Sequence, residues 1–214
     1  MIGWCGAGAV AEVYRDVGDE ALSAAVGALG RGALVVFPTE TVFGVAARPD
    51  VPDATARLFE AKRRPRGLTL PVLAPDAVSA WSVGVASRVA RRLGARYWPG
   101  ALTLVLPRTD RSVPWDLGED EETVGVRVPD HPTAGELLAR AGPLAGTSAN
   151  LSGEPTPDDC DGVHRSLGDA VDVYLCGGPS PVGTASTVVA VRDEAWEVLR
   201  PGAISEDEIS EVLR

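Results

Sequence analysis

Residues 33 to 37 read Ala-Leu-Val-Val-Phe, an apolar run too short for a helix and β-branched at its centre. Pro38 ends it, because proline has no N–H with which to extend a ladder. A strand that stops there delivers Thr39, Glu40 and Thr41 at its end. After a polar entry at Pro52 and Asp53, residues 54 to 63 set Leu58 and Ala61 toward one face and charges toward the other. That is the pattern of a surface helix, and Pro65 halts it. Around the stop stand Lys62, Arg63, Arg64 and Arg66, and residues 68 to 73 return to strand character. Strand, polar turn, helix, basic turn and strand form the unit around which the rest of the chain is arranged.

Two readings of the basic turn stand side by side. Cations at a helix C-terminus offset the helix dipole on a solvated face. Clustered Lys and Arg also supply several charge-assisted donors to phosphate oxygens, which suits a polyphosphate site.

Elsewhere, residues 19 to 29 suit an Ala-rich helix closed by glycines, whereas residues 1 to 18 show no periodicity and are taken as an N-terminal extension of uncertain structure. Pro75-Asp76 caps a short helix, residues 86 to 97 form an Arg-bearing one, and Trp98-Pro99-Gly100 turns into a strand to Leu106. Residues 109 to 122, acidic and turn-rich, read as a mobile connection. In residues 123 to 128, Val124, Val126 and Val128 alternate with Thr123, Gly125 and Arg127. A helix from 132 to 140 follows, entered at His131, which is expected to act in the turn or cap. Next come a strand at 144 to 147, the small-residue loop Ser148-Ala149-Asn150-Leu151-Ser152-Gly153, a helix at 158 to 167 and a strand at 171 to 175. A Gly/Pro loop at 177 to 183, a hairpin over 187 to 199 and a capped helix at 205 to 213 complete the chain. The interspersed elements and the late hairpin predict an α/β fold, a mixed twisted β-sheet with packed helices, in one domain over 19 to 214.

A formal net charge of −10 argues against general affinity for nucleic acid, which depends on Lys and Arg displacing counterions. No apolar run is long enough for a membrane span and no secretion signal opens the chain, so a cytoplasmic location is expected. Cys5, Cys160 and Cys176 have neither metal-ligand spacing nor the look of a disulfide framework and are read as incidental. His131 and His164 are too few for a metal site, and none is expected. GxGxxG and GxxxxGK[ST] are both absent, so a nucleotide would be held by other means.

Seven separated stretches together resemble the YrdC family of L-threonylcarbamoyladenylate synthases. They are Phe-Pro-Thr-Glu-Thr-Val-Phe-Gly from Phe37, Lys-Arg-Arg-Pro from Lys62, Trp-Pro-Gly-Ala-Leu-Thr from Trp98, Val-Gly-Val-Arg-Val-Pro-Asp-His-Pro from Val124, Thr-Ser-Ala-Asn-Leu-Ser-Gly from Thr147, Ser-Thr-Val-Val from Ser186 and Leu-Arg-Pro-Gly from Leu199. The resemblance implies a YrdC-like concave basic cavity that joins L-threonine, bicarbonate and ATP into threonylcarbamoyl-AMP and pyrophosphate, a nucleotidyltransferase reaction that feeds the N6-threonylcarbamoylation of adenosine 37 in tRNA. It places the Lys-x-Arg and Ser-x-Asn constellation on Lys62, Arg64, Ser148 and Asn150. Thr41, Arg127 and Ser186 fall to threonine. Lys62, Arg64, Thr123, Ser148, Thr156 and Arg200 fall to ATP, with Mg²⁺ carried on its phosphates.

The implied partners are the tRNA threonylcarbamoyl transferase proteins downstream and a weak contact with tRNA, with no membrane. Phe43 stands where the family often has Tyr, and Leu73 where longer relatives carry a threonine-holding His. The chain resembles the short bacterial form. No His is placed to activate Ser148, so Ser148 and Asn150 are read as positioning groups. Arg127 suits a carboxylate because its guanidinium fork matches one. An RNA-binding or ribosome-associated module without synthase activity is the alternative, and a different adenylate-forming or carbamoyl-transfer enzyme is a third reading.

Overall fold

The computed structural model describes residues 10 to 51, 53 to 177 and 183 to 214. Most of the Gly/Pro loop expected at 177 to 183 lies outside the described residues, as do Cys5 and Pro52. In chain order the elements are β1 (Glu12–Tyr14), α1 (Asp19–Gly30), β2 (Val35–Phe37), β3 (Gly44–Ala47), α2 (Ala54–Ala61), β4 (Val72–Leu73), α3 (Ala77–Val83), α4 (Arg88–Tyr97) and β5 (Leu102–Pro107). They continue with β6 (Thr123–Arg127), α5 (Pro132–Ala141), β7 (Leu144–Ser148), α6 (Cys160–Leu167), a 3-10 turn (Gly168–Ala170), β8 (Val173–Leu175), β9 (Thr187–Arg192), β10 (Ala195–Arg200) and α7 (Glu206–Leu213).

These ten strands form one mixed sheet in the order β1-β8-β2-β3-β7-β4-β6-β5-β9-β10. β8 runs parallel to both β1 and β2, β4 is parallel to β6 and β5 to β9, while the other neighbours are antiparallel. The mixed sheet is therefore as the sequence suggests. Two strands are additions to that reading. β3 follows the polar turn and pairs back on β2, with Val35 opposite Ala46. Its run Gly-Val-Ala-Ala is buried throughout and carries no alternation, so periodicity gives it no signal. β1, from the unpatterned stretch before residue 19, adds a parallel edge to β8.

β2 is buried on both faces, which is why its apolar run is continuous. Val36 packs into one core cluster with α2, α3, α4, α6 and α7, while Val35 and Phe37 pack into a second with α1 and α5. That second layer extends over β8, β2, β3 and β7 but not over β5, β6 and β9. On those strands Leu102, Leu104, Leu106, Val124, Val126, Val189 and Val191 face the first cluster. Thr103, Val105, Gly125, Arg127 and Val188, the residues between them, line a cavity instead. The cavity thus occupies the half of one sheet face that α1 and α5 leave uncovered.

The connection at 109 to 122 is corrected from mobile to tethered. Arg108 donates to the carbonyls of Thr123 and Trp115, both at 2.9 Å, and to those of Asp120 and Ser112, while Leu117 is buried in the core. One long side chain gathers the loop's carbonyls, an interaction that composition does not reveal. Cys160 and Cys176 are likewise corrected from incidental to paired. The start of α6 and the end of β8 bring their Cα atoms to 5.5 Å and the two form a disulfide. His131 caps α5 as expected, its Nδ1 accepting from the Thr133 N–H at 3.2 Å. Ser205 and Glu208 make a reciprocal capping box on α7.

Candidate active site

Pro38 ends β2, and the chain turns tightly before β3. Thr39 Oγ1 donates to the Val42 carbonyl at 2.6 Å and lies 3.0 Å from Thr41 Oγ1, and it also accepts from the N–H groups of Thr41 and Val42 at 3.3 Å. Thr39 Oγ–H is spent on Val42, so Thr41 supplies the hydrogen between the two hydroxyls. Thr41 Oγ1 then accepts from Arg127 Nη2 at 2.9 Å and keeps acceptor capacity for a ligand. Across the cavity Thr103 and Ser186 share a hydrogen bond at 2.9 Å.

Arg127 reaches in from the end of β6. Its Nε donates to the Gly100 carbonyl at 3.1 Å, and its Nη2 donates to Glu40 Oε1 at 2.6 Å as well as to Thr41. The guanidinium fork is therefore not wholly free for a substrate carboxylate. Among the described residues, only the two N–H groups of Nη1 are without a partner.

Two further arginines line the cavity. Arg64 lines the cavity with Nε donating to the Leu68 carbonyl at 2.7 Å and Nη2 to that of Thr69 at 3.1 Å. Arg200 lines it from the end of β10, its Nη2 donating to the Ser186 carbonyl at 2.7 Å and to Ser186 Oγ at 3.2 Å. Gly202 makes this possible, because a Cβ there would sit 2.5 Å from the backbone of Ala185 and Ser186. Neither arginine has a carboxylate partner among the described ion pairs. Burial lowers the pKa of both, and each is lowered further by a neighbouring cation, Arg200 acting on Arg64 and Arg127 on Arg200. In an acidic protein this is a local surplus of positive charge.

Lys62 does not line the cavity. It is 1% exposed, with Nζ donating to the Ser148 carbonyl at 2.5 Å, to the Asn150 carbonyl and to Asn150 Oδ1 at 3.4 Å. Burial, and then Arg64, pushes its pKa down to about 8. Asn150 is buried too. Its Nδ2 holds the carbonyls of Leu151 and Glu154, and its Oδ1 accepts from Ser148 Oγ at 2.5 Å and from Thr156 Oγ1 at 3.4 Å. Lys62 and Asn150 thus shape from beneath a loop whose Ser148 and Thr156 do line the cavity. Thr123 lies outside it, with its hydroxyl and N–H both bound to Asp120.

Of the ten residues singled out in the sequence, the cavity gathers Thr41, Arg64, Arg127, Ser148, Thr156, Ser186 and Arg200 within about 270 Å³. It also takes in Thr39, Thr69, Thr103 and Thr147, to which the sequence reading gives no role. Thr103 was within reach, since it alternates between Leu102 and Leu104 as Gly125 alternates between valines. Leu73 forms an apolar wall, and Phe43 lies in the core.

Comparison with known proteins adds names to this geometry. Residues 27–202 match the family model Sua5_yciO_yrdC, described as "Telomere recombination". A Mycobacterium tuberculosis protein is 44% identical over 194 residues, covering 88% of this chain and 87% of its own length. The threonylcarbamoyl-AMP synthase of Bacillus subtilis is 38% identical over 197 residues, covering 91% of this chain and 57% of its own. Among solved structures, P. abyssi Sua5 complexed with L-threonine superposes with a TM-score of 0.83 at 31% identity over 95% of this chain. The present chain spans 60% of that protein's length.

Proposed function

Since this chain belongs to the Sua5/YciO/YrdC family, we propose that it is an enzyme that makes threonylcarbamoyl-AMP and pyrophosphate from L-threonine, bicarbonate and ATP, for threonylcarbamoylation of tRNA adenosine 37. The observation that carries this reading is the layout of one cavity. It brings guanidinium groups with no carboxylate partner among the described ion pairs, Arg64 and Arg200, together with the hydroxyls of Thr39 and Thr41 beside the Glu40-paired Arg127. Ser186, which accepts from Arg200, stands where the two sets meet.

In the first step the threonine nitrogen attacks the carbon of bicarbonate, and water leaves as the carbamate forms. A carbamate oxygen then attacks the α-phosphorus of ATP, the bond to the β-phosphate oxygen breaks, and pyrophosphate departs. This is nucleotidyl transfer. It brings an anion onto a polyanion, so Arg64 and Arg200 would lower the repulsion and stabilise the leaving pyrophosphate. Ser148 and Thr156 would position the nucleotide as hydrogen-bonding groups of the wall. Lys62 and Asn150 would act through the loop rather than on the phosphates. Thr123, bound to Asp120, has no part in this scheme.

Arg127 would hold the threonine carboxylate through Nη1, with Thr41 and Ser186 meeting its amine and hydroxyl. A partly enclosed site also shields a carbamate that is labile in water. Among the described residues no group of three or more His, Cys, Asp or Glu is placed to cage a divalent cation, so Mg²⁺ would enter on the ATP phosphates, as part of the substrate. The product would pass to transferase proteins that modify tRNA in the cytoplasm. No helix among the described residues is long and apolar enough to cross a membrane.

Mass detection of threonylcarbamoyl-AMP from purified protein, ATP, bicarbonate and threonine, without RNA, tests the reading. Pyrophosphate release is expected to require both threonine and bicarbonate. ATP turnover indifferent to either, or none at all, overturns it.

A further inference from the structure

Glu40 lies in the turn after β2, between the cavity-lining Thr39 and Thr41, and has no role in the reaction as derived above. Its Oε1 accepts from Arg127 Nη2 at 2.6 Å, and the two side chains are only 16% and 9% exposed. Its other oxygen, Oε2, is shielded from solvent and has no hydrogen-bond partner among the described residues. A buried acceptor left in that state lowers stability, and buried ion pairs commonly do no better than break even against apolar replacements. Holding the fold together therefore does not account for a carboxylate at this position.

Charge layout does account for it. Among the described residues Arg64 and Arg200 face the cavity without carboxylate partners, whereas Arg127, the third arginine there, is neutralised. The cavity consequently has two guanidinium groups suited to phosphates and a third, that of Arg127, whose charge Glu40 cancels. Glu40 and Thr41 together also hold Nη2, and Gly100 holds Nε, so Arg127 presents its Nη1 edge to a ligand. Next to that edge, the acceptor capacity of Thr41 Oγ1 and the negative field of Glu40 both favour a cation.

We infer that Glu40 is the specificity-determining residue of the amino-acid subsite, orienting and neutralising Arg127 so that the site takes a zwitterion and rejects the corresponding simple anion. The carboxylate of the zwitterion meets Nη1, while its ammonium lies toward Thr41 and the Glu40 carboxylate. An acid without the ammonium gains the first contact and suffers the repulsion of Glu40. Rejection of the wrong ligand by a like charge is a general route to specificity. The inference rests on the synthase reading for the identity of the amino acid.

The test compares calorimetric binding of L-threonine and of 3-hydroxybutanoate, which is threonine without its ammonium, to wild type, Glu40→Gln and Glu40→Asp. Thermal denaturation checks that each variant is folded. Wild type is expected to prefer threonine strongly. Glu40→Gln should reduce that preference by about tenfold or more, mainly by admitting the hydroxy acid, and Glu40→Asp, which keeps the charge, should restore most of it. A merely structural role would weaken both ligands in parallel and leave the ratio unchanged. An unchanged ratio in Glu40→Gln, or a Glu40→Asp variant that behaves like Glu40→Gln, overturns the inference. Wild type that discriminates as expected but forms no threonylcarbamoyl-AMP keeps the inference and removes the synthase reading. Failure to bind threonine at all removes both.

Discussion

The Lys62 ammonium donates to the main-chain carbonyl of Ser148 at 2.5 Å from a position 1% exposed to solvent. A cation from the basic turn is thus buried under the loop that forms a cavity wall. With burial first and Arg64 nearby second, and no carboxylate paired to it among the described residues, its charged form is disfavoured and its pKa falls from 10.5 to about 8.

This gives a signed prediction for stability. Below pH 8 the lysine is charged in both states and the folded state bears the burial penalty. Between about 8 and 10.5 the unfolded chain binds more protons than the folded one, so stability rises with pH. In Lys62→Met, which has no titrating group there, that rise should be missing. The gap between the two proteins in denaturant unfolding should therefore change, in favour of wild type, by about 3 kcal/mol over that interval. A gap that stays flat to pH 10 refutes the lowered pKa. Lys62→Met should also reduce turnover by about ten- to a hundredfold, because misplacing Ser148 and Thr156 spoils alignment without touching the reacting atoms.

For Arg64 and Arg200 the expected signs of function and stability are opposite. Replacing either by Ala should lose about 2 to 4 kcal/mol of transition-state stabilisation, or roughly one to three decades in kcat/KM for ATP. Arg64 is half-buried and Arg200 exposed, and each lies beside another cation, so removal of either should leave the unfolding midpoint unchanged or slightly raised. Pyrophosphate release and thermal denaturation on the same preparations decide the matter. Wild-type turnover in either variant removes that arginine from the mechanism.

The sequence was most informative where side-chain chemistry and strand parity agree. Alternation over 123 to 128 places Gly125 and Arg127 on one face, and the basic turn delivers Arg64 to the same cavity. It was least informative where a long side chain chooses between two destinations. Lys62 and Arg64 are two residues apart and equally charged in the sequence, yet one is spent on backbone carbonyls and the other faces the cavity. Glu40 was visible at the strand end, but its partner Arg127 is 87 residues away and only the fold brings them together. The disulfide was hidden for the same reason, because α6 and β8 had to pack before Cys160 and Cys176 could meet.

Arg127 should govern the threonine requirement more than the ATP requirement. Truncation to Ala strands the Glu40 carboxylate in a poorly solvated place, at a cost of about 3 to 5 kcal/mol, so a loss of activity alone would be ambiguous. The double variant Arg127→Met/Glu40→Gln removes both charges and should recover most of that stability. It should still show a threonine KM raised well beyond any change for ATP. Equal changes in the two KM values would place Arg127 outside the amino-acid subsite.

The Cys160–Cys176 link should contribute to stability and not to catalysis. It joins positions 16 apart in sequence, and constraining the unfolded chain over a loop of that length is worth about 3 kcal/mol, less any native strain. Neither cysteine lines the cavity. Denaturant unfolding of oxidised protein should shift to lower denaturant when reductant is added, with pyrophosphate release measured under native conditions unchanged. In Cys160→Ala/Cys176→Ala the midpoint should sit near the reduced value and ignore the reductant. An oxidised wild type whose midpoint does not respond to reductant would show that the two sulfurs, although adjacent in the fold, contribute nothing as a bond.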